Sequence, residues 1–155
     1  MADRPTNRTL GTGEKPEPRY KYTHLYQQDY ATWTAYLKSE WNLLDEVWYD
    51  VHVGRPMDIP PDSPDYMQAV VDGVSRKRID VVGRIENRFF IIEVKPEANM
   101  KAIGQVVTYT NLFINEFEIT GTVQPMVVAT TCDADILDIA NEQNVIIVAL
   151  EGVTL

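Results

Sequence analysis

The stretch RIDVVGRIENRFFIIEVKPE, residues 78–97, decides how this chain is read. Its β-branched and aromatic residues fall into two runs, about 77–84 and 89–95, parted by a turn around Glu86-Asn87. That pattern predicts an antiparallel hairpin. Pro96 has no amide proton to give a ladder and is expected to end the second strand. Side chains two apart share a face of a strand, so Glu93 and Lys95 point the same way, along with Phe89 and Ile91. Whether Ile85 pairs with Arg88 across a two-residue turn, or Arg84 and Phe89 close a longer loop, Asp80 falls directly opposite Glu93. Cross-strand partners have Cβ atoms roughly 4.5–5.5 Å apart, where like charges destabilise a sheet unless something neutralises them.

A divalent cation is the simplest neutraliser. Two converging carboxylates, Asp80 and Glu93, form a natural site for Mg²⁺ (or Mn²⁺), which prefers oxygen ligands and retains water. Lys95, one pleat further along, adds a positive charge able to orient a water or offset charge on a phosphoryl oxygen. The plainer alternative is a salt bridge from Lys95 to one of the two acids.

Around the hairpin, the chain reads as one domain of ordinary soluble composition. Residues 1–22, rich in Pro, Gly, Thr and charge without hydrophobic period, are expected to be a flexible basic arm, and residues 23–155 the folded domain. Apolar positions Tyr30, Trp33, Leu37, Trp41 and Leu44 predict a helix over about 27–44. EVWYDVHV (46–53) predicts a strand, and Ser63-Pro64 the start of a short helix ending near Gly73. A helix from about 99 to 116, with Met100, Ile103, Val107 and Ile114 on its stripe, follows the hairpin. A strand at 123–131, a helix capped by Asp133 and a last strand at 145–150 complete the chain. The order α-β-(α)-β-β-α-β-α-β predicts an α/β fold with a mixed central sheet flanked by helices.

Charge narrows the function. The formal net charge of −9 argues against a generic nucleic-acid binder. Yet residues 1–22 hold five of the fourteen basic residues and residues 76–101 seven more, so positive charge gathers on the arm and around the hairpin. The single cysteine, Cys132, excludes an internal disulfide, and with only two histidines a structural zinc site is not expected. No secretory signal or membrane-spanning run is read, and a cytoplasmic location is expected, meaning host cytoplasm or virion if the chain is viral.

Asp80 followed by Glu93-Val94-Lys95 resembles the signature of the PD-(D/E)XK nucleases, the restriction-endonuclease-like superfamily, although Ile79 stands where a proline often precedes the first acid. GQVVTY places Gln105 and Tyr109 four apart on one helix face and resembles the Q-x-x-x-Y motif of the RecB-type and phage exonuclease branch. The resemblance implies metal-dependent hydrolysis of DNA, in a phage-encoded recombination, repair or processing role. It makes Asp80, Glu93, Lys95, Gln105 and Tyr109 catalytic, and Asp80, Glu93 and the Val94 carbonyl metal ligands. The family often adds an acid from its first helix, for which Glu40 on the stripe of Trp33, Leu37 and Leu44 is the expected residue, with Asp29 and Glu46 as alternatives. Lys101, Arg78 and Arg84 are the expected contacts to DNA. The competing expectation is a structural or adaptor protein, for example of a virus particle, built on a nuclease-like fold. In that reading a protein partner holds the N-terminal arm; a homo-oligomer fits either reading, and neither involves a membrane.

Overall fold

The computed structural model describes residues 8–155. In chain order the elements are α1 (Gln27–Lys38), β1 (Glu46–Val53), α2 (Asp65–Ser75), β2 (Lys77–Ile85), β3 (Arg88–Ala98), α3 (Met100–Glu116), β4 (Thr122–Asp133), α4 (Ala134–Glu142), β5 (Ile146–Ala149) and β6 (Val153–Thr154). The expected α/β order is present, extended by the two-residue β6, too short for any periodicity to announce. The strands form one mixed sheet in the order β1-β2-β3-β4-β5, with β6 beside β4. The first three strands are an antiparallel meander, whereas β3, β4, β5 and β6 pair in parallel. Parallel neighbours need a crossover, and α3 and α4 provide the first two.

Both faces of the sheet are covered, which is why its central strands are apolar on both sides. Val82, Ile91 and Val127 pack with Ile103, Val106 and Phe113 of α3 and Ala140 of α4. On the other face Val81, Ile92, Val94 and Val128 pack with Trp33, Tyr36 and Leu37 of α1. Consecutive β2 residues thus serve opposite layers, as a period of two demands. Asn99 caps α3 by accepting from the Ala102 amide at 2.9 Å, and Asp133 caps α4 by accepting from the Asp135 amide at 2.8 Å.

Several expectations are corrected. The first helix stops at Lys38, not Leu44, because Ser39 turns the chain: its amide and hydroxyl both donate to the Tyr36 carbonyl, at 3.0 and 2.7 Å. Trp41 is consequently exposed, and Leu44 reaches the core from a loop. The buried stripe of α3 is Ala102, Ile103, Val106, Thr110 and Phe113, leaving Met100 and Ile114 exposed. Pro96 does not end β3, which continues to Ala98 alongside β4. Amides alternate edges along a strand, and the Pro96 nitrogen faces the β2 side, where pairing has already ceased, so no ladder bond is lost.

The segment 8–22, expected as a flexible arm, is fastened to the domain; residues 1–7 lie outside the described residues. Arg8 bridges to Phe117 and Glu14 to Val47. The Gly13 amide donates to Glu46 at 2.7 Å, the Trp48 indole donates to the Gly11 carbonyl at 3.2 Å, and Tyr22 is buried against α1. These anchors are single backbone and side-chain contacts with distant residues, so the local sequence carries no period for them. A further anchor is charged. Glu116, 1% exposed, accepts from Arg76 at 2.5 Å, Arg8 at 3.3 Å and the Gly54 amide at 2.6 Å. No described helix is long and apolar enough to cross a membrane.

Candidate active site

The hairpin register is the expected one, from Ile85 opposite Arg88 to Val81 opposite Ile92. The regular ladder stops there, and the next facing pair is Asp80 and Glu93. Across the other edge of β2, pairing skips from Tyr49–Val81 to Val51–Ile79, which places Asp50 opposite Asp80. Three acids therefore form a row over three neighbouring strands, and both ladders are interrupted in that row. Like charges directly opposite disfavour pairing. Asp50 takes φ 54° and leaves the alternation, its carboxylate lying 3.3 Å from His24, 3.2 Å from His52 and 3.7 Å from Arg78. Asp80 fills the gap by a different route: its Oδ2 accepts the Val94 amide at 2.9 Å, replacing a ladder carbonyl. The N–H and C=O of one residue leave a strand on the same edge, so the Val94 carbonyl faces this gap as well.

The parting of β2 and β3 opens into a cavity of about 540 Å³. Asp80, Glu93 and Lys95 enter it from the hairpin, and Gln105 and Tyr109 from α3. Asp29 enters from the first turn of α1, in the opposite layer. Glu93 is 3% and Asp29 2% exposed. Asp29 Oδ1, Glu93 Oε1 and Gln105 Oε1 are buried without a hydrogen-bond donor. Native proteins rarely leave such atoms unsatisfied, and here three of them belong to one cavity.

Electrostatics within it are lopsided. Burial, then the charge of Asp80, pushes the Glu93 carboxyl up to about 9, with Lys95 acting in the opposite direction. Burial also raises Asp80, to about 6, offset by the Val94 amide and Lys95. Asp29 is raised by burial and drawn back by Lys95. The Tyr109 phenol is raised by burial and by Glu93. The single ammonium group thus faces three carboxyls, and Asp80 and Glu93 cannot both ionise without a large penalty. A hard cation fits this donor set of carboxylate, amide and backbone oxygens. Among the described residues, however, no three His, Cys, Asp or Glu side chains form a ready metal-holding group. Water and substrate oxygens would have to complete the shell.

The structure therefore brings together Asp80, Glu93, Val94, Lys95, Gln105 and Tyr109, all expected from the sequence. Arg78 also lines the cavity, held by Asp50, by His24 at 3.1 Å and by the Gly73 carbonyl at 2.5 Å. Glu40 does not join them: it is exposed beyond the end of α1, at the opposite end from the cavity. Its alternative Glu46 is engaged by the Gly13 amide and Arg84. Of the three acids weighed for this place, Asp29 is the one that lines the cavity. Arg84 lies outside the cavity wall, its guanidinium tying the hairpin tip to Glu46 at 3.1 Å and Asp45 at 3.7 Å. Lys101 is exposed in the first turn of α3, outside the cavity wall. Sequence reasoning missed His24, Tyr26, Val74 and Arg76 as wall residues. Asp29 had a readable signal, because it precedes Trp33 by one helical turn on the buried stripe.

No protein-family model, curated protein or solved structure matches the chain. The described residues define a class: an α/β fold with a mixed six-stranded sheet, four helices and a carboxylate–lysine cavity where two strands part.

Proposed function

We propose that this cavity is the active site of a metal-dependent nuclease that hydrolyses DNA phosphodiester bonds, on a restriction-endonuclease-like scaffold. The observation that carries this reading is the convergence of donorless oxygens from Asp29, Glu93 and Gln105 beside Asp80 and Lys95. Asp80, Glu93, Asp29 and the Val94 carbonyl would hold one or two Mg²⁺ ions, or Mn²⁺. When bound, the metal supplies a water of lowered pKa and neutralises phosphate charge.

The chain's own residues do the rest. Lys95 orients the attacking water and offsets negative charge on the phosphoryl oxygens. Gln105 and Tyr109, one helical turn apart, hold the phosphate and keep the lysine in place. Hydrolysis forms one P–O bond to the water oxygen and breaks one to the sugar oxygen, which leaves as a hydroxyl after gaining a proton. Positioning and electrostatics suffice for such a step, without a protein nucleophile. A purely structural adaptor would have no use for buried oxygens left unsatisfied around an amine.

The test is incubation with linear and circular DNA in Mg²⁺, Mn²⁺ or EDTA, beside Lys95→Ala. Metal-dependent cleavage that the variant loses supports the reading. Wild-type protein that cuts no DNA with either metal refutes it.

A further inference from the structure

Two strongly exposed apolar side chains stand in the wall of this otherwise polar cavity: Tyr26, 73% exposed, and Val74, 74% exposed. Tyr26 immediately precedes α1, and its carbonyl accepts the Asp29 amide at 2.8 Å, so ring and carboxylate belong to one turn. Val74 lies in the last turn of α2, and Val70, Met67 and Tyr66 continue its face of the helix, all exposed. Alongside them sits Arg78, its guanidinium fixed by Asp50, His24 and the Gly73 carbonyl, with Lys95 in the same cavity.

This combination selects among nucleic-acid shapes. A volume near 540 Å³ is in the range that encloses one small-molecule-sized group. A paired duplex keeps its bases stacked inside and offers such a wall only backbone, leaving an aromatic ring and a valine against water. An unpaired strand offers phosphates to the cations and bare base faces to the ring, the pairing of contacts that single-strand binders use.

Building on the nuclease reading, we infer that DNA enters this cavity as an unpaired strand. The scissile phosphate lies toward Asp80, Glu93 and Lys95, a neighbouring base stacks on Tyr26, and Val74 packs beside it. Tyr26 is then a substrate-specificity residue rather than a catalytic one.

The experiment separates binding from cutting. Anisotropy of a labelled oligothymidylate and of a fully paired two-strand duplex is measured at fixed salt with Ca²⁺ in place of Mg²⁺. Cleavage of both DNAs is then followed in Mg²⁺. The single strand is expected to bind about tenfold tighter or more. Tyr26→Ala should weaken that binding about 5- to 100-fold, as loss of one stacked base would, while Tyr26→Phe keeps it. Duplex bound as tightly as the single strand, or single-strand affinity unchanged in Tyr26→Ala, overturns the inference and leaves any metal-dependent cleavage standing. Single-strand binding through Tyr26 with no cleavage of either DNA upholds the inference about the strand and overturns the nuclease reading alone.

Discussion

Replacing Glu93 by Gln should make the metal-free protein more stable, by an amount that depends on pH. In the folded chain the Glu93 carboxyl is raised from its ordinary 4.5 to about 9, chiefly by burial and then by the charge of Asp80. The native state therefore keeps a proton that the unfolded chain releases. For an acid shifted upward, the relative stability is fully present below the unfolded pKa and is lost as pH rises toward the folded one. At pH 7 the cost of holding the group neutral spans about two and a half pH units, or about 3 kcal/mol. The Glu93→Gln side chain would retain the shape without that cost, and its amide N–H can still donate to the Asp80 carboxylate as the protonated acid does. A gain of about 1–3 kcal/mol is expected at pH 7, and a chain of this size gains about 2–4 °C in Tm per kcal/mol. Thermal unfolding in EDTA at several pH values is the assay. The advantage of Glu93→Gln should be near zero at about pH 4.5, grow toward about pH 9, and be accompanied by loss of the stabilisation that Mg²⁺ gives wild type. A Tm difference that stays constant between those two pH values would refute the reasoning.

Asp29→Asn should lower metal-dependent cleavage about tenfold or more, whereas Glu40→Gln stays within about twofold, because only the first lies in the cavity; equal effects in steady-state assays would remove Asp29 from the site. Lys95→Ala should cost about 10²–10³ in kcat with little change in circular dichroism, since it takes away one charge aimed at the phosphate. Unaltered kcat in that variant would leave the lysine without a catalytic role. Glu116→Gln should destabilise the fold by about 3–5 kcal/mol in urea unfolding, because Arg76 and Arg8 lose their buried carboxylate partner. A loss under about 1 kcal/mol would show that the anchor of the N-terminal segment lies elsewhere.

Much of the cavity's lining was legible in the order of residues alone. The turn at Glu86-Asn87 and the period of two determine that Asp80 faces Glu93 and that Lys95 shares their face. Asn99 and Asp133 announce the starts of their helices through side chains that serve amides only two or three residues away. Spacing by four likewise settles that Gln105 and Tyr109 lie together on α3. All of these depend on contacts within a turn or across one short hairpin, where the identity of a few neighbours is sufficient. The other decisions came from packing between layers. Which end of α1 meets the parting of β2 and β3 determines that Asp29 joins the cavity and Glu40 does not. That one-sided parting also lets β3 run through Pro96. The fastening of residues 8–22 depends on Glu46, Val47 and Glu116, far along the chain, and the aromatic-apolar rim of Tyr26 and Val74 exists only because the start of α1 and the end of α2 meet at one opening. Such contacts are fixed by how whole elements share a core, and no local period encodes that.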